Sequence, residues 1–172
     1  LDAWMSSPTH TQHIYNRYGE QADACITEGT SALFDGYRRM QGSSAEIANI
    51  LNLPVILLVN ARMAGYSVAP LLYGYKHFYS GVHIAGVIFN QVSSPAHYAH
   101  LREACSDTGL DCLGYLPVME EVKLFPKHNA ISLANRRIID EQANIVASQI
   151  EKSIDISRML NRCNRNFPCQ YT

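Results

Sequence analysis

Val55-Ile56-Leu57-Leu58-Val59-Asn60 and Ile84-Ala85-Gly86-Val87-Ile88-Phe89-Asn90 are the stretches that decide the fold. Each is apolar at nearly every position, and each stops abruptly at an asparagine. A strand with one wet face alternates polar and apolar residues, whereas a strand covered on both faces does not. The second pattern belongs to parallel sheets packed between helical layers. Two further β-prone runs, Ala24-Cys25-Ile26-Thr27 and Cys112-Leu113-Gly114-Tyr115-Leu116, extend the series, at the roughly 30-residue interval of βαβ units.

Helical spacing fills the intervals. Pro8 to Tyr18 sets Ile14 and Tyr15 opposite a polar face, and Ser44-Ala45-Glu46 opens Ile47, Ala48, Ile50 and Leu51. Ser67 to Tyr79 carries Leu71, Leu72, Tyr75 and Phe78. Ser94-Pro95 opens Tyr98, Leu101, Ala104 and Cys105, with proline in the first turn, where it is tolerated. Leu133 to Leu160 reads as one or two C-terminal helices packing on the sheet, and Asn161 to Thr172 as a frayed end. The fold class is α/β: a largely parallel, four-stranded sheet flanked by helices, with residues 1–160 forming one layered domain and 161–172 a tail.

Composition narrows the function. The 172 residues are 47% apolar and 17% charged with a formal net charge of −1, which excludes a disordered chain and leaves no basic excess for nucleic acid. The longest apolar run, Val55–Val59, is far short of a membrane span, and no signal peptide is legible, so a cytoplasmic, non-membrane protein is expected. The chain opens Leu-Asp-Ala-Trp without a methionine, as a piece of a longer protein would. Cys25, Cys105, Cys112, Cys163 and Cys169 form no CxxC pair. The first three read as small buried hydrophobes of a reducing compartment, the last two as exposed thiols.

Ligands of open α/β sheets bind beyond the carboxyl ends of the strands, so the residues following each strand are the candidates. After the first comes Glu28-Gly29-Thr30-Ser31-Ala32-Leu33-Phe34-Asp35-Gly36. Glu28 and Asp35 on such a loop suit Mg²⁺, which takes one or two carboxylates and completes its shell with phosphate oxygens and water. The plainer reading makes Asp35-Gly36 a turn and Glu28 a cap or surface ion pair. Asn60 follows the second strand. Asn90 follows the third, where a side-chain amide can both donate to and accept from a nucleobase edge, or simply cap a turn. Pro117 ends the fourth. His97 and His100 lie one helical turn apart and read as a solvated face. The chain contains no GxxxxGK[ST], no GxGxxG and no GxSxG.

Several ordered motifs resemble those of the cobyrinic acid a,c-diamide synthases, which are dethiobiotin-synthetase-like P-loop amidoligases. Leu1-Asp2-Ala3-Trp4-Met5 is similar to their NLDxxM, and Glu28 to Gly36 to their EGxMGLFDG. Gly42 to Ala48 is similar to GSTAELA, Leu53 to Val59 to LPVVLVV, and Ile84 to Val92 to IAGVILNRV. The resemblance covers residues 1–130. It implies ATP- and Mg²⁺-dependent amidation of the a and c carboxylates of cobyrinic or hydrogenobyrinic acid through acyl phosphates. It also implies ammonia released from glutamine by an amidotransferase domain outside this chain, with a homodimer as one assembly open to it.

By the same resemblance, Glu28 is the Mg-phosphate and catalytic glutamate, and Asp35 the aspartate that forms or holds the phosphorylated intermediate. Asn90 and Pro117 border the adenine. Asn60 stands where the family often has aspartate, and Thr30-Ser31-Ala32 replaces its Met-Gly stretch. The family's nucleotide-binding loop and acidic substrate motif lie upstream of Leu1, so this chain alone is expected to be inactive. Two alternatives remain at this stage: a related amidoligase or dethiobiotin-type enzyme with another substrate, and a non-catalytic interaction module akin to partition ATPases.

Overall fold

The computed structural model describes residues 5–122 and 136–165. Asp2, Leu133, Cys169 and most of the C-terminal tail lie outside that range. Six helices and three strands follow in chain order among the described residues: α1 Pro8–Gly19, α2 Ser44–Leu51, β1 Pro54–Asn60, α3 Val68–His77, β2 His83–Val92, α4 Pro95–Asp107, β3 Cys112–Pro117, α5 Arg136–Ser153 and α6 Ile156–Arg162. All three strands are parallel, in the order β1-β2-β3.

Local chemistry sets the helix starts. The Ser43 hydroxyl accepts the Glu46 N–H at 3.2 Å while the Glu46 carboxylate reaches back to the Gly42 N–H at 2.6 Å. This reciprocal cap satisfies two otherwise orphaned donors and contributes about 1 kcal/mol. Asn52 ends α2 in the left-handed region, φ 51°, and the chain turns directly into β1. Ser94 caps α4 through the His97 N–H at 3.1 Å, with Pro95 in the first turn as its fixed φ favours.

Alternation along β2 divides the core into two layers. Val87 and Phe89 face α2, α3 and α4 through Ala45, Val68, Ala69, Leu72, Leu101, Ala104 and Cys105. Ile88 faces the other way, onto Leu113, Ile150, Ile154 and Met159. Gly86 leaves room for this: a Cβ there would lie 2.5 Å from Leu113 Cδ1.

The two sheet edges differ. At β3 the link between α5 and α6 lies along the strand, Gly114 bridging to Ile154 and the Asp155 N–H donating to the Leu113 carbonyl at 2.8 Å. Asp111, just before β3, pairs with Arg158 and, at 2.6 Å, with Arg162 Nε, which fastens α6 there. At β1 the outer edge carries no strand among the described residues.

The structure departs from several of the expectations drawn from the sequence. Residues 24–27 form no strand and are exposed, Ile26 at 94%. A strand exists only where a neighbour accepts and donates its backbone hydrogen bonds, and here 24–27 pairs with none. Cys25 is accordingly exposed rather than buried, while Cys163 is partly buried rather than exposed. Double-sided covering holds for β2 but not for β1, where Leu58 is 64% exposed. The C-terminal helices pack on β3 and β2, with Ile56 of β1 at the margin of the same cluster. Only the Ile150–Ile154 end of the long helix packs on the sheet, leaving Ile138 and Ile145 exposed.

Candidate functional site

Parallel pairing delivers the strand-end candidates to one edge. Asn60 lies directly opposite Asn90 in the β1–β2 register, and Val92 opposite Pro117 in the β2–β3 register. Asn90 is half-buried. Its Oδ1 accepts the Gln91 N–H at 2.8 Å, its carbonyl accepts the Ala61 N–H at 2.8 Å, and Gln91 takes the left-handed conformation at φ 61°. The side chain therefore performs the turn duty of the plainer reading. It also retains the two N–H donors of Nδ2 and a second lone pair on Oδ1, which is what reading a base edge requires. Asn60 closes an Asx turn by accepting the Arg62 N–H at 3.0 Å and is exposed.

His97 holds these loops together, and sequence reasoning missed it. Its Nε2 meets the Ala64 carbonyl at 2.6 Å, and its Nδ1 meets the Ser93 N–H at 3.2 Å and the Ser93 hydroxyl at 3.0 Å. Nδ1 can accept from the Ser93 N–H only if unprotonated, so Nε2 carries the proton and donates to Ala64. The ring thus staples the loop after β1 to the loop after β2. Its place in the first turn of α4, beside the Ser94 cap, was the only available signal; the partner 33 residues away was not legible. His100, by contrast, is exposed and faces Glu103 at 3.7 Å, as a solvated face should.

Glu28 and Asp35 lie on the loop that packs against the start of α2. Gly29 lies so close to Ser44 that a Cβ would fall 2.8 Å from its hydroxyl, and the Ala45 N–H donates to the Leu33 carbonyl at 2.8 Å. The Asp35 N–H closes a turn onto Ala32 at 3.0 Å. Between them Phe34 anchors the loop, its ring 5.8 Å from Tyr75 and 4.9 Å from Phe78. Both carboxylates are exposed and lie near a helix N-terminus, where negative charge is favoured. Among the described residues no hydrogen bond or ion pair joins either of them to Asn90 or Pro117.

These donors can be tested against Mg²⁺ and a nucleotide. Among the described residues no group of three Asp, Glu, His or Cys side chains converges, so the protein by itself forms no metal cage. A single exposed glutamate does fit an ion that keeps most of its shell as water and phosphate oxygens. Pro117, half-buried at the end of β3, and Asn90, near the end of the adjacent β2, are an apolar ring and an amide of the kinds that suit an aromatic base. A cavity of about 700 Å³ opens at the opposite pole, between the strand starts Pro54 and His83 and the side chains of Asn52, Arg162 and Arg165. None of the candidates lines it.

Comparison with known proteins gives the geometry its context. The AAA domain family model matches residues 8–124. A cobyrinate a,c-diamide synthase of Caldanaerobacter subterraneus is 33% identical over 164 residues, 94% of this chain and 36% of the relative. One of Dehalococcoides mccartyi is 35% identical over 98% of this chain and 37% of the relative. A hydrogenobyrinate a,c-diamide synthase of Brucella ovis is 36% identical over 91% of this chain and 35% of the relative. The chain thus spans about a third of the length of the curated relatives it matches. No solved structure matches it. No described helix is long and apolar enough to cross a membrane.

Proposed function

The chain belongs to the AAA domain family, and from that premise we propose that it is the nucleotide-handling part of a cytoplasmic ligase that makes the a,c-diamide of cobyrinic or hydrogenobyrinic acid. What supports the substrate is the naming of the relatives across nearly the whole of this chain. The observation that carries the nucleotide reading is the convergence of Asn90 and Pro117 at the carboxyl ends of adjacent parallel strands.

Chemically, a carboxylate resists attack by ammonia because its leaving group is an oxide. In the proposed reaction a substrate carboxylate oxygen attacks the γ-phosphorus of ATP, the bond to the β-phosphate oxygen breaks, and ADP departs. Ammonia, supplied from glutamine by an amidotransferase domain outside this chain, then adds to the acyl carbon and phosphate leaves. Asn90 and Pro117 hold the base, and Asp35 orients the phosphorylated intermediate. Glu28 would hold Mg²⁺, whose contribution when bound is to neutralise phosphate charge.

Without a GxxxxGK[ST] among its 172 residues, this chain alone is proposed to bind Mg-ATP weakly and to be inactive. Calorimetry tests this directly, and micromolar binding would overturn it. In the full-length protein, Glu28→Gln and Asp35→Asn are each expected to lower amide formation by at least about a hundredfold, the scale of losing one transition-state charge contact. Turnover of cobyrinic acid at the unmodified rate by either variant would remove that residue from the site.

A further inference from the structure

Asn90 owes its place to more than its own turn. Its carbonyl accepts the Ala61 N–H at 2.8 Å, and its Oδ1 accepts the Gln91 N–H at 2.8 Å. Both lines of contact lead on to one side chain. On the β1 side, the Ala64 N–H donates to the Ala61 carbonyl at 3.0 Å, and the Ala64 carbonyl accepts from His97 Nε2 at 2.6 Å. On the β2 side, the Ser93 N–H donates to His97 Nδ1 at 3.2 Å. The imidazole thus closes a circuit of hydrogen bonds that begins at Asn90 and returns to the turn that follows it.

The circuit is anchored in the core. Ala61 and Val92 are both buried, in one cluster with Phe89 and Leu101. His97 stands in the first turn of α4, where the Ser94 hydroxyl accepts its N–H at 3.1 Å. Asn90 by contrast is only half-buried, and with one Oδ1 lone pair committed to Gln91 its remaining donors are the two N–H groups of Nδ2. Gln91 lies in the left-handed region at φ 61°. That conformation costs free energy for any residue but glycine and persists only where its surroundings enforce it. The bonds on either side of it, from Ala61 to Asn90 and from Ser93 to His97, are such an enforcement.

We propose that His97 is a positioning residue for the nucleotide: by closing this circuit it fixes the turn at Gln91 and so orients the Nδ2 donors of Asn90 for the base edge. The inference rests on the reading of Asn90 as a base contact given above. The circuit requires one neutral tautomer, with Nδ1 accepting from Ser93 and the Nε2 proton shared with Ala64. His97 neither gains nor loses a proton in this role. Its contribution is preorganisation, because a donor already held in its bound orientation loses less freedom when the ligand arrives. A base contact is made equally in the ground state and the transition state. Its loss therefore raises KM for ATP and leaves kcat where it was.

Steady-state kinetics of the full-length protein with ATP varied tests this, with Asn90→Asp as the reference. His97→Ala is expected to raise KM for ATP about tenfold, the effect of one polar contact, while kcat at saturating ATP and KM for the corrinoid hold. His97→Gln, whose amide reaches toward the Ala64 carbonyl, should recover part of the loss. The double variant His97→Ala/Asn90→Asp should show the KM of Asn90→Asp alone, since donors that are gone cannot be oriented. A loss of packing unrelated to Asn90 would instead multiply the two effects. His97→Asn keeps an acceptor for the Ser93 N–H without reaching Ala64, and it replaces His97→Ala in both comparisons if that variant does not fold. The proposal is overturned if KM for ATP stays unchanged in the His97 variant while Asn90→Asp raises it, or if the two effects multiply. An unchanged KM in Asn90→Asp refutes the nucleotide reading itself, and this role of His97 with it.

Discussion

The imidazole Nε2 of His97 donates to the carbonyl of Ala64 at 2.6 Å, so the helix that follows β2 holds the loop that follows β1. Every candidate at the strand ends depends on how those two loops sit. Replacing the ring by alanine leaves the Ala64 carbonyl and the Ser93 N–H without their partner. His97→Ala is expected to cost about 1–2 kcal/mol in urea unfolding, the typical cost of an unmet part-buried hydrogen bond. His97→Gln should restore part of this. A midpoint unchanged in both variants would show the contact to be idle.

Asn90 supports the left-handed turn at Gln91 through its Oδ1, and its Nδ2 carries two further donors. Asn90→Asp preserves the acceptor and removes the donors, which separates the two duties. In the full-length protein it is expected to keep the melting temperature and to raise KM for ATP about tenfold, the scale of one lost polar contact to a base. An unchanged KM with lowered stability would assign Asn90 to the turn alone.

Gly114 is a position that tolerates no side chain. Its φ of 138° is unfavourable for any L residue, and a Cβ would lie 2.2 Å from the Ser153 carbonyl oxygen. Gly114→Ala must push the α5–α6 link off β3, so a loss of at least about 2 kcal/mol is expected. Chemical denaturation reads it, and proteolysis should begin in the C-terminal helices.

Phe34 gives the Asp35 loop its anchor on Tyr75 and Phe78. Phe34→Leu keeps apolar volume but loses the ring contacts, at about 1 kcal/mol. If the loop's placement matters to Asp35, kcat of the full-length protein should fall while KM for ATP holds. Equal activity would show that the loop is positioned by its hydrogen bonds to α2 alone.

The helices were legible because their signals are local. Ser44-Ala45-Glu46 and Ser94-Pro95 announce helix starts from adjacent residues, and α2 and α4 begin there, with Ser43 rather than Ser44 as the α2 cap. The unbroken apolar runs of β1 and β2 likewise announce a parallel sheet, although only β2 is covered on both faces. Asn60, Asn90 and Pro117 could be placed at strand ends for the same reason.

Ala24 to Thr27 has the composition of a strand and does not become one. Strand character is a property of pairing, and which edge is open depends on the whole sheet. The sequence by itself thus determined the α/β class, the helix boundaries and the strand-end positions of the nucleotide candidates, all of which rest on short-range periodicity and capping. Only the tertiary structure decided that His97 joins two loops. It also decided that the loop of Glu28 and Asp35 is tied to α2 through the Leu33 carbonyl. Each of these is a contact between segments whose approach is fixed by packing, which no local pattern encodes.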